Sequence, residues 1–216
     1  TYAKQAKKIH FDIDPAEINK NIPVDVAVLG NCKETVARVL QLVHPNHHKE
    51  WRESFRTYQK KEERMVITPE VRPAEGPILM GEVIDRVSTQ TADKGIVVTD
   101  VGQNQMLAAR YSRFTQKRSI VTSGGMGTMG FGLPAAMGAT FGAPDRTVSL
   151  FVGDGGFQMT IEELGTIMEH RCPVKIVLLN NNFLGNVRQW QELFFRHRYS
   201  FTHMLSPDYA KVAEAY

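Results

Sequence analysis

The chain has 216 residues, of which 42% are hydrophobic, so it can bury a sizeable core and form one full domain and part of another. Its formal net charge is only +3, which argues against nucleic acid or a membrane surface as a partner. No apolar run approaches the roughly 18 residues of a membrane span, and the sequence contains two cysteines, Cys32 and Cys172. We therefore expect a cytoplasmic protein with two reduced thiols.

Residues 1–43 are expected to form a small α/β segment. The stretch KIHFDIDP and the stretch Pro23–Gly30 are typical of strands, and a helix is expected over roughly Lys33–Leu42. Two strands are too few to close a sheet. We therefore interpret this segment as the end of a second α/β domain.

Residues 44–76 are strongly polar and then rich in proline, which indicates a solvated helix followed by an extended connector. This segment contains three closely spaced histidines, His44, His47 and His48. They could be imagined as metal ligands, but no fourth ligand has a suitable spacing. A linker is therefore the better interpretation.

From Ile78 onward the sequence alternates regularly between helices and strands. Helices are expected over Leu79–Val87, Gln105–Tyr111, Phe131–Phe141, Met159–His170 and the stretch VRQWQELFF. Strands are expected over Ile96–Thr99, Ser119–Val121, Thr147–Val152 and Val174–Asn180. This alternation predicts an α/β fold with a doubly wound parallel sheet over residues 77–216. The last stretch, PDYAKVAEAY, stops within a predicted helix, so we expect a domain truncated at its C-terminus and a fragment of a longer protein.

The motif GDGG at Gly153–Gly156 follows one predicted strand, and Asn181 follows the next, 27 residues after Asp154. Parallel strands joined by a helical crossover end at the same edge of the sheet. Asp154 and Asn181 should therefore lie close together. A carboxylate, an amide and a nearby backbone carbonyl form the oxygen-rich site that Mg²⁺ prefers.

Four predicted loops lie at this carboxyl edge, where ligands of such sheets bind. They are rich in glycine and amide side chains and contain no Lys or Arg: Asp100–Gln105, Thr122–Gly130, Gly153–Gly156 and Asn180–Asn186. A diphosphate there must be held by backbone N–H groups and a metal ion. Each loop alone is typical of a tight turn, but four loops at one edge indicate a diphosphate site.

The stretch GMGTMG at Gly125–Gly130 matches the dinucleotide fingerprint G-x-G-x-x-G, and Asp145 lies 20 residues after Gly125. In a dinucleotide site the acid follows the next strand. Asp145 precedes that strand and should lie at the opposite edge of the sheet. The sequence therefore argues against an NAD site.

GDG followed by NN at this spacing resembles the signature of thiamine diphosphate enzymes. The stretches TSGGMGTMGFGLPAAMGA and LGNVRQWQELFFRHRYS resemble the catalytic large subunit of acetohydroxyacid synthase (acetolactate synthase). FDIDPAEINKN resembles the end of that family's central, FAD-binding domain. The resemblance implies a central-domain remnant at 1–43, a linker at 44–76 and the thiamine diphosphate-binding domain at 77–216.

The resemblance also implies site residues. Asp154, Asn181 and the carbonyl of Phe183 would bind Mg²⁺. The diphosphate would lie against Gly102, Gln103, Asn104, Gly153, Gly155 and Gly156. The carbonyl of Gly127 would accept a hydrogen bond from the 4′-amino group of the pyrimidine, and Met129 would bend the cofactor.

Substrate and flavin positions follow from the same resemblance. Trp190 matches the residue that favours a second 2-oxo acid with one extra methylene, and Asn186 lies near the substrate. FAD, without a redox role, would lie near Asp12, Asp14 and Asn31. The family usually has His at position 104, Met at 186 and in many members Asp at 31.

The implied reaction joins two pyruvates, or pyruvate and 2-oxobutanoate, with loss of CO2, to give 2-acetolactate or 2-aceto-2-hydroxybutanoate. This is the first common step of branched-chain amino-acid biosynthesis. The family's essential Glu lies on the amino-terminal domain of a neighbouring subunit, so no catalytic residue is expected in this fragment, and the fragment alone should be inactive.

The family also implies a homodimer or tetramer of the full-length chain and a regulatory small subunit. Two alternatives remain open. One is another thiamine diphosphate enzyme of the pyruvate oxidase or glyoxylate carboligase type, against which RQWQELFF argues. The other is a non-catalytic cofactor-binding paralogue.

Overall fold

The computed structural model describes residues 4–216 and divides into two compact units, with the boundary between Thr57 and Tyr58. This boundary lies inside the helix Lys49–Glu62, whereas the sequence predicts domain limits at 43/44 and 76/77. Those limits stay a prediction. No helix within residues 4–216 is long and apolar enough to cross a membrane.

The first unit contains two paired strands and a helix: β1 (Ile9–Asp12), β2 (Val26–Leu29) and α1 (Cys32–Leu40). The strands are parallel, with Ile9 opposite Val26. β1 ends at Asp12 because its carboxylate accepts the backbone N–H of Asp14, and Asp14 caps a short 3-10 helix over Pro15–Glu17. The strand predicted over KIHFDIDP is therefore present but shorter.

The polar segment forms a longer helical stretch than the sequence suggests. α2 (Lys49–Glu62) runs into a π-helical turn, Glu63–Ile67, and then into α3 (Thr68–Val71). Pro69 does not end this stretch because it lies in the first turn of α3, where a backbone N–H is not needed. The extended connector predicted up to residue 76 therefore begins only after Val71.

The second unit has the alternation that the sequence predicts. Its helices are α4 (Met80–Gln90), α5 (Gln103–Tyr111), α6 (Gly132–Gly142), α7 (Asp154–Met159), α8 (Glu163–Glu169), α9 (Gly185–Phe194) and α10 (Tyr209–Ala215). Its strands are β3 (Ile96–Thr99), β4 (Ile120–Val121), β5 (Val148–Gly153) and β6 (Val174–Leu179). They form one parallel sheet in the order β4-β3-β5-β6.

Side chains of the central strands alternate between two apolar cores, one on each face of the sheet. On one face Val98 and Leu150 pack with Leu133 of α6. On the other face Val97 and Phe151 form a core with residues of α4 and α5. Strands buried on both faces have nearly continuous apolar sequences. The doubly wound α/β sheet is therefore confirmed.

β6 differs from its predicted environment. The sequence indicates a buried strand, but within residues 4–216 Leu179 is its one buried residue, because β6 lies at the edge of the sheet. Its other apolar side chains are partly buried against the two cores: Val174, Ile176 and Leu178 on one face and Val177 on the other.

The helix predicted from Met159 to His170 is wrong in its start. α7 begins at Asp154, directly after β5, so GDGG forms the first turn of a helix rather than a separate turn. The helical stretch is then interrupted at Thr160, whose hydroxyl donates a hydrogen bond of 3.1 Å to the carbonyl of Gly130. The chain turns after this contact with the loop 122–130, and α8 follows from Glu163.

Arg146 joins the two chain segments that precede β3 and β4, at the amino edge of the sheet. Its guanidinium donates to five groups that precede β3 and β4: the carbonyls of Lys94, Gly95, Lys117 and Arg118 and the hydroxyl of Ser119. The neighbouring Asp145 therefore lies at the edge opposite the loop Gly125–Gly130. This placement agrees with the argument against an NAD site.

We predict that Arg146→Lys lowers the free energy of unfolding by about 2 kcal/mol, because an ammonium cannot reach acceptors on both segments and hydrogen bonds to charged groups contribute about 1.5–3 kcal/mol. Urea denaturation measures this difference. The control is Arg118→Lys, since Arg118 is exposed and its side chain makes no hydrogen bond within residues 4–216. Equal stability of the two variants would contradict the prediction.

Candidate functional site

The strand register brings the predicted ligands to one edge. Gly153 at the end of β5 lies opposite Leu179 at the end of β6. Asp154 and Asn181 therefore follow the ends of neighbouring parallel strands, whose backbones lie about 4.8 Å apart.

A cavity of about 190 Å³ opens at this edge of the sheet. It is lined by every residue that the sequence assigns to thiamine diphosphate and Mg²⁺: Gly102, Gln103, Asn104, Gly127, Met129, Gly153, Asp154, Gly155, Gly156, Asn181 and Phe183. Asn186 lines it as well. Sequence reasoning missed its apolar part, which consists of Met80, Val101, Leu179, Leu184 and Val187 together with the backbone of Gly185.

Asp154 is the buried acid of the cavity. It is 1% exposed, and one carboxylate oxygen, Oδ2, accepts a hydrogen bond of 3.0 Å from the hydroxyl of Ser206. Its backbone carbonyl accepts a hydrogen bond of 3.3 Å from the hydroxyl of Tyr209. Sequence reasoning missed Ser206 and Tyr209, and no local pattern points to either residue.

The side-chain amide of Asn181 is oriented by two contacts. Its Oδ1 accepts the backbone N–H of Phe183 at 3.0 Å, and its Nδ2 donates to Oε1 of Gln103 at 3.4 Å. Gln103 is itself held by Gln189 of α9, at 3.2 Å. Asn182 between the two predicted ligands has φ 58°, a left-handed conformation that asparagine tolerates. The turn therefore keeps Asn181 and Phe183 close together.

The backbone carbonyl of Phe183 is free to bind a ligand. Phe183 forms an isolated antiparallel bridge with His203, and the flanking hydrogen bonds join Leu184 to Thr202 and Met204 to Asn182. The N–H and carbonyl of a residue between two such bonds face away from the partner strand. Within residues 4–216, no hydrogen-bond donor contacts this carbonyl.

Asp100, which sequence reasoning did not assign to the site, anchors the glycine-rich loop 122–130. It is fully buried, and its two carboxylate oxygens accept the backbone N–H groups of Gly130 and Gly132, at 3.2 and 2.8 Å. A Cβ on Gly156 would overlap this carboxylate. The acid at the end of β3 thus fixes the loop after β4 against α7.

The predicted pyrimidine turn lies on this anchored loop. Gly127 has φ 63°, a conformation that favours glycine, and Ser123 accepts the N–H of Thr128 at 2.9 Å. The methyl carbon of Met129 lies 3.6 Å from the position of a Cβ built on Gly155. The methionine is therefore placed over the GDGG turn, while its role in bending a cofactor stays a prediction.

Asn104 has a more restricted environment than expected. It is 5% exposed, its Nδ2 donates to the carbonyl of Val101 at 3.3 Å, and its Oδ1 is buried without a partner in residues 4–216. One N–H of the amide is therefore already used within the loop. The second N–H of the amide is the one that could donate to a diphosphate lying against Asn104.

The two predicted substrate residues have different positions on α9. Asn186 lines the cavity, whereas Trp190 does not; Trp190 is 57% exposed and packs against the ring of Phe194, with centroids 5.0 Å apart. The role of Trp190 in substrate choice stays a prediction.

The residues assigned to FAD lie in the first unit, at the carboxyl ends of β1 and β2. Each side chain makes a local cap: Asp12 to Asp14, Asp14 to Ala16 and Asn31 to Lys33. The backbone N–H of Asp14 is the main cause that holds the pKa of Asp12 below its usual value. These local hydrogen bonds explain why Asp or Asn stands at each of the three positions without a ligand. FAD binding stays a prediction.

Other titratable groups give no alternative metal centre within the described residues 4–216, where no three His, Cys, Asp or Glu side chains cluster. His44, His47 and His48 are all exposed, as expected for a linker. Cys32 is exposed and Cys172 is buried, and both are free thiols.

Comparison with protein families identifies the chain. The model of the thiamine pyrophosphate enzyme C-terminal, TPP-binding domain matches residues 100–216, more than half of the sequence. The chain belongs to the thiamine pyrophosphate enzyme family. The model of the central domain of these enzymes matches residues 1–39.

Within this family, the chain is similar to curated acetolactate synthase large subunits. The acetolactate synthase large subunit of Parasynechococcus marenigrum is 44% identical over 222 residues, covering 100% of this chain and 35% of the relative. The large subunit from Lactococcus lactis is 42% identical, covering 99% of the chain and 37% of the relative. The acetolactate synthase isozyme 2 large subunit of Escherichia coli is 41% identical, covering 100% of the chain and 38% of the relative. The chain thus spans a little over a third of the length of these relatives.

We predict that Gly156→Ala lowers the free energy of unfolding by about 1–3 kcal/mol, because the new methyl group would overlap the anchored carboxylate of Asp100. The control is Gly165→Ala in α8, where a Cβ meets nothing within 4 Å and should stabilise the helix by about 0.5–1 kcal/mol. Chemical denaturation of both variants measures the contrast. A Gly156→Ala variant as stable as the parent would contradict this packing.

Proposed function

We propose that this chain is the cofactor-binding part of an acetolactate synthase. The proposed reaction is the thiamine diphosphate- and Mg²⁺-dependent joining of two pyruvates, or of pyruvate and 2-oxobutanoate, with loss of CO2, in branched-chain amino-acid biosynthesis. The single observation that carries the proposal is that Asp154, Asn181 and Phe183 line one cavity. Similarity to acetolactate synthase large subunits supports the choice of reaction.

The donor set fits a magnesium ion. Asp154 retains one carboxylate oxygen without a side-chain partner, Asn181 retains a lone pair on Oδ1, and the Phe183 carbonyl is unbonded in the described chain. Three oxygen donors from the protein leave room for diphosphate oxygens and water in an octahedral shell. These three residues would therefore hold the metal and, through it, the diphosphate.

Backbone groups would hold the rest of the diphosphate. α5 begins at Gln103, so the N–H groups of its first turn have no partner within the helix, and Gly102, Gln103 and Asn104 line the cavity. The cavity wall also contains three glycines, Gly153, Gly155 and Gly156, which leave room for a ligand because they have no side chain. This arrangement supplies N–H donors to a cavity that no Lys or Arg of the described residues lines.

When bound, thiamine diphosphate supplies the nucleophilic carbon and the electron sink for decarboxylation and carboligation. The residues of this chain bind, orient and shield it. The carbonyl of Gly127 would accept the 4′-amino hydrogen, and Met129, together with Leu184 and Val187, would keep water from the reacting carbon.

The remaining parts of the proposal rest on resemblance. FAD would lie against Asp12, Asp14 and Asn31 without a redox role. The full-length protein would form a homodimer or tetramer in the cytoplasm and associate with a regulatory small subunit. The named large subunits among the relatives support the last point.

We predict that Asp154→Ala weakens Mg²⁺-dependent binding of thiamine diphosphate by at least about 100-fold, because it removes the one carboxylate that lines the cavity among residues 4–216. Calorimetric titration with and without Mg²⁺ measures the effect. Asp145→Asn, an acid at the opposite edge, is the control and should bind like the parent. Binding of the parent that does not depend on a divalent cation would refute the proposed site.

We predict that Trp190→Leu in the full-length protein lowers the preference for 2-oxobutanoate over pyruvate by about tenfold, since the indole can favour one extra methylene by about 1–2 kcal/mol. The ratio of the two acetohydroxy acid products, measured in a competition of both substrates, reports this preference. Trp51→Leu, at an exposed tryptophan of α2, is the matched control. An unchanged ratio would leave Trp190 as a packing residue of α9.

A further inference from the structure

A short stretch after α9, the 202–206 segment, holds the loop that carries two of the proposed metal ligands. The N–H of Leu184 donates to the carbonyl of Thr202, and the N–H of Met204 donates to the carbonyl of Asn182, both at 2.8 Å. The rings of Phe183 and His203 pack edge to face, with centroids 5.2 Å apart. These contacts fix the ligand loop from the side opposite the Phe183 carbonyl.

The same segment ends on the buried acid. The Ser206 hydroxyl lies 3.0 Å from Oδ2 of Asp154 and 3.4 Å from Oδ1 of Asn180, so the shorter contact, to the carboxylate, takes its single proton. Within residues 4–216, this hydroxyl is the one side-chain donor to the Asp154 carboxylate. A carboxylate that is 1% exposed is stabilised strongly by such a donor, because water does not replace it.

We infer that Ser206 is a positioning residue of the cation site, an inference that rests on the proposed function. Its hydrogen bond holds Oδ2 of Asp154 and thereby leaves Oδ1 directed to the metal. Carboxylates that bind metals are themselves hydrogen-bonded, and loss of such a partner weakens metal binding by about 10–100-fold.

A second contact from the same part of the chain holds the backbone of Asp154. The Tyr209 hydroxyl donates to the Asp154 carbonyl at 3.3 Å and accepts from Nε2 of Gln158 at 3.0 Å. The side-chain and main-chain oxygens of Asp154 are thus both fixed from residues 206–209. The 202–206 segment therefore links the acid of the cation site to its amide and carbonyl ligands.

The test compares Ser206→Thr with Ser206→Val, two variants of the same shape that differ by the hydroxyl. The full-length protein is titrated with Mn²⁺ at saturating thiamine diphosphate, and free Mn²⁺ is measured by electron paramagnetic resonance. We expect the Thr variant to bind Mn²⁺ like the parent and the Val variant to bind about tenfold more weakly or worse. The Val variant is expected to unfold at a lower midpoint than the Thr variant, because it lacks the hydrogen bond to the buried carboxylate, so Mn²⁺ binding is compared where both variants are folded.

Ser200→Ala is the control, since this exposed serine makes no side-chain hydrogen bond in the described chain. Equal Mn²⁺ affinity of the Thr and Val variants would overturn the role of Ser206 and leave the proposed function standing. A parent protein that binds no Mn²⁺ with thiamine diphosphate would instead overturn the proposed function itself. If the Val variant does not fold, Ser206→Ala takes its place against the same Thr variant.

Discussion

The pairing of β5 with β6 determines where every group of the candidate cation site lies. Gly153 lies opposite Leu179, so the two strands end together and their following residues meet at one edge. A slip of β5 by one residue would move Val148, Leu150 and Val152 from one core to the other and put Ser149 and Phe151 in their place against α6. Hydrophobic packing of β5 therefore fixes the register, and the register places the polar residues that follow it.

Those parts of the fold that depend on burial and on crossover geometry were predictable. β3 and β5 are buried on both faces, so their sequences are continuous and apolar, and the carboxyl-edge loops converge because parallel crossovers leave no other arrangement. The start of α7 was mispredicted because GDGG is typical of a turn, and only packing of Gly156 against Asp100 makes a helical turn favourable there. The exposure of β6 was missed because an apolar strand looks alike at the centre and at the edge of a sheet.

Contacts across long sequence separations account for what sequence reasoning did not find. Ser206 reaches Asp154 across 52 positions, and no periodicity relates the two. The sequence did point to Asp100, because this acid follows the buried strand IVVT as Asp154 follows β5. The two acids nevertheless have different hydrogen-bond environments. Each carboxylate oxygen of Asp100 accepts a backbone N–H group, whereas Oδ1 of Asp154 has no hydrogen-bond donor within residues 4–216. The hydrogen-bond donors around each carboxylate, which the sequence does not reveal, therefore distinguish a structural acid from a candidate metal ligand.

The charge of the cavity explains why metal and diphosphate should bind together. Among residues 4–216 the wall contains the buried carboxylate of Asp154 and no Lys or Arg, so a diphosphate alone would face a like charge there. A divalent cation alone would meet one negative group, one amide and one carbonyl, a weak set for Mg²⁺, which gives up its water reluctantly. With both present, the cation neutralises the carboxylate and the nearest phosphate oxygens, and Asn rather than an acid at position 181 avoids excess negative charge. The binding of each is therefore expected to strengthen the binding of the other, and by linkage the two coupling free energies are equal.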